Sequence, residues 1–112
     1  MFGLTHRRRK KLRDKPFPPD WVDIIHRTVP FYARLSPDDQ RELQGHIQVF
    51  LAEKRFEGCG GLTITDEIRV TIAAYACVLL LHRETDYYPL LVTILVYPHT
   101  FAVSRYQAGP AG

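Results

Sequence analysis

Cysteine, methionine and tryptophan are scarce in this 112-residue sequence, which holds two, one and one of them. Cys59 and Cys77 are too few for a disulfide framework, and the residues between them do not form the short spacing of a metal knuckle. A reduced, cytoplasmic setting is the simplest reading of that usage. The N-terminus has charge but lacks the apolar stretch and small-residue cleavage site of a secretory signal. A long hydrophobic run is also missing. The longest, Val70 to Leu81, is interrupted by Thr71 and falls short of the roughly 20 residues a bilayer span requires. No membrane segment is expected.

What is present is a lopsided charge distribution. The formal net charge is +3, but Arg7, Arg8, Arg9, Lys10, Lys11, Arg13 and Lys15 crowd the first 15 residues, with only Asp14 opposing them. The rest of the chain is therefore mildly acidic. A basic cluster of this kind can meet nucleic acid or anionic lipid through counterion release. Without interleaved aromatics or a recognition helix behind it, the reading preferred here is a solvated, disordered arm over residues 1–15, with nucleic-acid binding not expected. Pro16, Pro18 and Pro19 mark its end.

Three helices follow. Asp20 is the expected N-cap of the first, in which Trp21, Ile24, Ile25 and Val29 share a face before Pro30 stops it. His26 lies near that stripe and reads as a structural residue. The second is announced by Ser36 as N-cap, Pro37 at the first position, and Asp38 and Asp39 in the first turn. Its apolar face carries Leu43, Ile47, Phe50 and Leu51, with Gln40, Arg41, Gln44, Gln48 and Glu53 mostly opposite, and it should end near Lys54 or Arg55. The third is expected over Thr63–Arg83, capped by Thr63 or Thr65. Its nearly continuous apolar sequence predicts burial on all sides.

Between the last two helices, the stretch Phe56 to Leu62 contains three glycines around Cys59. A P-loop needs Lys-Ser/Thr after its last glycine, and an activated thiol needs a nearby base. Neither is present, so a tight turn is predicted. After the turn Asp86-Tyr87-Tyr88-Pro89, residues Leu90 to Tyr97 read as a strand rich in β-branched residues, apolar on both faces. No second strand of comparable quality is visible, although Val103 to Tyr106 could pair weakly, and 107–112 read as a flexible tail. Each large apolar side chain contributes roughly 1.5 to 3 kcal/mol on burial, so leaving several exposed forfeits on the order of 10 kcal/mol. A whole domain is stable by only about 5 to 15 kcal/mol. The helix and strand are therefore short of partners, which implies either part of a larger domain or a piece that associates.

The series Phe56 to Leu62, Thr65 to Ala74, Cys77 to Leu81, and Val92 to Pro98 with Phe101 resembles the N-terminal region of the Mlc titration factor A family of bacterial zinc-dependent peptidases. The similarity extends back through the helix at Pro19 and Trp21. It implies a mainly α fold with a small β element (α+β), the leading part of a zincin-like metallopeptidase, over residues 16–106. It also implies a family activity of peptide-bond hydrolysis and binding of the Mlc repressor of glucose-phosphotransferase genes. Family members hold zinc through a His-Glu-x-x-His helix. In this sequence none of His6, His26, His46, His82 and His99 is followed by Glu or by a second His four residues on. No catalytic, cofactor-binding or metal residue is therefore assigned, zinc belongs to the full-length family, and this chain alone is expected to be inactive. Its expected partners are the missing C-terminal peptidase portion or a protein such as a transcriptional repressor. The alternative expectation is a free-standing, non-enzymatic interaction module using the central helix and strand.

Overall fold

The computed structural model describes residues 2–98. In chain order these form α1 (Phe2–Asp14), α2 (Pro19–Thr28), a 3-10 turn (Pro30–Arg34), α3 (Pro37–Glu53), β1 (Arg55–Gly58), α4 (Asp66–Val78) and β2 (Thr93–Val96). The architecture is mainly α with a small β element, as the helical spacing, the β-branched run and the resemblance lead one to expect. The predicted weak strand at Val103–Tyr106 and the tail at 107–112 lie outside the described residues.

Capping chemistry places two helix starts as expected. Ser36 accepts a hydrogen bond from the Asp39 N–H at 3.1 Å with Pro37 behind it, and Thr65 accepts one from the Ile68 N–H at 3.2 Å. In both cases a side-chain oxygen satisfies an N–H that has no intrahelical acceptor. Asp20 is not the N-cap of α2. Pro18 holds that position, and Asp20 sits in the first turn, because Pro19 already has the φ a first helical residue needs.

The expected disordered arm is a helix instead. The row of cations in α1 finds fixed acceptors far away in sequence. Arg9 forms a two-pronged pair with Glu53, Nε to Oε2 at 2.7 Å and Nη2 to Oε1 at 2.9 Å. It also reaches Asp86 at 2.7 Å and stacks 5.0 Å from the Tyr87 ring centre. Leu12 packs against the core, and Gln48 donates to the Lys15 carbonyl at 2.9 Å. A close approach at Gly45 makes this possible, since a Cβ there would lie 3.2 Å from Arg13 Cβ.

This docking changes the role of α3, which was expected to pack by one face. With α1 and α4 both packed against it, Leu43 and every residue from Gly45 to Leu51 are buried, His46 and Gln48 included. The third helix is shorter and less covered than predicted: α4 buries Val70, Ala73, Ala74 and Cys77, while Tyr75 and Leu79 are 49% and 65% exposed. The core gathers Ile24, Ile25, Val29 and Tyr32, from α2 through the 3-10 turn, with Leu43, Ile47 and Phe50 of α3 and Val70 of α4.

The second strand comes from the segment predicted to be a tight turn. Arg55–Gly58 pairs in parallel with Thr93–Val96 in the register Phe56 to Ile94, and α4 lies in the crossover that parallel pairing requires. The ladder is extended by the Arg55 N–H to Val92 O and the Cys59 N–H to Val96 O, both at 2.8 Å. Gly60 and Gly61 take positive φ in the turn that follows. Phe56 and Ile94 face the core, whereas Leu95 is 53% exposed. The sheet is thus covered on one face, not on the two its sequence suggested.

Candidate functional site

The polar groups of this chain converge where α1, α3 and the segment after α4 meet. Asp39, Glu42 and His46 are spaced three and four residues apart on α3, so they rise along one side of the helix. His46 is nearly buried, and its side chain bridges two partners: Nδ1 lies 2.7 Å from the Tyr87 hydroxyl and Nε2 lies 3.0 Å from Glu42 Oε2. The same Glu42 oxygen accepts the His82 N–H at 2.9 Å, while the His82 ring Nε2 lies 3.2 Å from Asp39 Oδ1.

Three residues of the connecting segment, His82, Tyr87 and Tyr88, have φ values of 65°, 58° and 55°. Left-handed backbone at residues other than glycine is costly and needs support from its surroundings. Here the support is tertiary. Tyr87 is 1% exposed, its ring meets His46 edge to face at 5.3 Å, and Arg13 donates to its hydroxyl at 3.3 Å. The Tyr88 hydroxyl donates to the Ala76 carbonyl at 2.8 Å, and Lys54 donates to the Tyr88 carbonyl at 2.7 Å. What looked like a simple Asp-Tyr-Tyr-Pro turn is a clamp tying α1, α3 and α4 together.

The electrostatics follow from this geometry. Burial pushes the His46 imidazole below its ordinary value, opposed by the hydrogen bond and charge of Glu42. The Glu42 carboxyl is held below the usual range: desolvation pushes it up, and the His82 N–H, His46 and the two ring charges together pull it further down. Arg9 is raised, chiefly by its hydrogen bond to Glu53. Cys77 is pushed up to about 12 by burial alone, which fits an inert core thiol.

Residues singled out in the sequence fall in separate places. His26 stacks edge to face on Tyr32 at 5.2 Å, away from the cluster. Cys59 is half-buried beyond β1 and Cys77 lies in the core, and both are free thiols. Reading from sequence did not find Glu42, His46 or Tyr87. The Glu42/His46 spacing on one helix face was a usable signal, whereas their joining to Tyr87 and His82 carried none.

A second feature is apolar. Besides Tyr75 and Leu79, the large side chains Leu90, Leu91, Val92, Leu95 and Tyr97 are exposed, so that β2 and its approach present an uncovered surface. Among the described residues no helix is long and apolar enough to cross a membrane.

The profile of a family described as glucose-regulated metallo-peptidase M90 matches residues 4–112. An uncharacterized protein of Synechocystis sp. is 48% identical over 98 residues, covering 88% of this chain and 36% of that protein. Mlc titration factor A of Klebsiella pneumoniae is 32% identical over 75 residues, covering 67% of this chain and 28% of that protein. The chain thus spans about a third of the length of the curated relatives it matches. No solved structure matches.

Proposed function

This chain belongs to the glucose-regulated metallo-peptidase M90 family, and from that premise we propose that it is the leading structural portion of a zinc-dependent peptidase. In this reading the zinc helix and general base are supplied by family sequence downstream of the matched region, and the residues described above serve to hold one wall of the enzyme. No His-Glu-x-x-His stands in this sequence, so its residues do not fit the family's zinc and no hydrolytic step is assigned to them. By itself the chain is inactive toward peptides.

The observation that carries the proposal is the run of exposed large apolar side chains on the approach to β2 and along it, with Leu90, Val92, Leu95 and Tyr97 each more than half exposed, joined by Leu79 after α4. A surface of that kind marks an interaction site, and the remainder of a peptidase domain is an occupant of the right character. Regulation through the Mlc repressor belongs to the same reading, supported by the name of the Klebsiella relative.

The test compares the 112-residue chain with a version extended through a family zinc helix. The short chain should bind a hydrophobic dye, and the extended protein should cleave peptides in a chelator-sensitive way and lose that dye binding. Peptide cleavage by the short chain would overturn the proposal, as would persistent dye binding by the extended one. A short chain that instead forms a stable, dye-negative oligomer would favour the free-standing interaction module. For the repressor, labelled Mlc titrated with the extended protein should show saturable binding, and no binding would remove that part.

A further inference from the structure

The geometry points to a divalent transition-metal site, of the zinc type, formed by Asp39, Glu42 and His82 where α3 meets the segment after α4. One donor atom from each residue lies within 4.8 Å of the others. Within the group, Asp39 Oδ1 and His82 Nε2 are 3.2 Å apart. Zinc bonds of roughly 2.0 to 2.2 Å in a tetrahedron place neighbouring donors about 3.3 to 3.6 Å apart. That pair already has nearly the required separation, and Glu42 offers a carboxylate oxygen within 4.8 Å of both.

The arrangement is more than a group of surface acids. Two helix positions three residues apart supply the carboxylates, and a left-handed residue delivers the imidazole from another segment. The backbone N–H of His82 grips Glu42 Oε2 while its ring turns to Asp39. Behind Glu42 stands His46, its side chain 7% exposed, fixed at its other nitrogen by the Tyr87 hydroxyl. His46 is a positioning residue: it holds Glu42 Oε2 from the protein side and so fixes the carboxylate beside Asp39 and His82. Groups that hold a liganding side chain in this way commonly change metal affinity 10- to 100-fold when removed.

The donor set selects the metal. An imidazole beside two carboxylates suits zinc and its first-row neighbours, whereas magnesium and calcium prefer all-oxygen surroundings. With three protein donors the fourth position of a tetrahedral ion falls to water, since the His82 side chain is 69% exposed and the site opens to solvent.

The probe is zinc ion itself, titrated into the 112-residue chain against a chromophoric chelator, with magnesium in large excess as competitor. One equivalent should bind in the micromolar range or tighter, undisturbed by magnesium. Asp39→Asn and His82→Asn should each weaken binding by at least about tenfold. His82→Asn is chosen because asparagine tolerates left-handed backbone and keeps the N–H contact to Glu42, so the fold is preserved. His46→Gln should weaken binding while leaving the stoichiometry at one, and Cys59→Ser should leave it unchanged. Absence of zinc binding overturns the proposal. So does wild-type affinity in His82→Asn or loss of binding in Cys59→Ser, which would reduce the His82–Asp39 contact to an ion pair.

Discussion

Replacing Arg9 by methionine should release α1 from the body of the protein. Arg9 and Glu53 are 14% and 12% exposed and joined by two short hydrogen bonds. Opposite charges about 4 Å apart attract by roughly 4 kcal/mol at an effective dielectric near 20. Breaking a fully buried pair costs about 3 to 5 kcal/mol because the remaining charge loses its partner. The residual exposure of this pair lets water return to Glu53, so the expected loss is about 2 to 3 kcal/mol. That loss lowers the folded-to-unfolded ratio roughly 30- to 150-fold.

Urea denaturation of Arg9→Met, Glu53→Met and the double variant forms a cycle whose coupling should exceed about 1 kcal/mol, with the double variant less damaged than the two singles added. Asp86→Asn, at a carboxylate 72% exposed, should cost under about 1 kcal/mol. Hydrogen exchange supplies the local readout, because protection over residues 2–14 should fall in Arg9→Met before the core of α3 opens. A cost for Arg9→Met no larger than that of Asp86→Asn, or unchanged protection over α1, would refute the reasoning and return residues 1–15 to a loosely held arm.

Phe50, fully buried against Phe56 and Tyr88, should lose about 3 to 5 kcal/mol on change to alanine, whereas exposed Leu79→Ala should stay within about 0.5 kcal/mol in the short chain; chemical denaturation measures both. Gly58→Ala should destabilise the chain even though Gly58 does not have positive φ, because a Cβ there would meet the Leu62 carbonyl oxygen; thermal melting checks it. Cys77, with its pKa raised, keeps its proton in the fold while the unfolded thiol loses it above about pH 8.5. Stability from this group is therefore full below that pH and declines as pH rises toward about 12. Mass spectrometry after iodoacetamide at pH 8 should find Cys59 alkylated and Cys77 intact, with both modified in urea.

Local chemistry was enough to place the starts of α3 and α4. Ser36-Pro37-Asp38-Asp39 and Thr65-Asp66-Glu67 carry their own instructions, because a cap side chain bonds an N–H only three residues on. The apolar spacing in α2 and α3 and the β-branched composition of β2 are equally local, and the surplus of apolar surface over available partners was legible for the same reason. Arg9 with Glu53 and Asp86, His46 with Tyr87, and Arg55–Gly58 with Thr93–Val96 were decided only in three dimensions. Each of these contacts joins residues about 40 or more positions apart, and none leaves a periodicity or spacing in the chain. Their consequences are large: a cationic stretch that would repel itself in isolation becomes a helix once distant carboxylates receive it, and α3 displaces α4 as the most enclosed element. Sequence determined the helices α2, α3 and α4 and the strand β2, but not α1 or β1. The tertiary structure decided which of them lies at the centre, and it gathered Asp39, Glu42, His46 and His82 into one place.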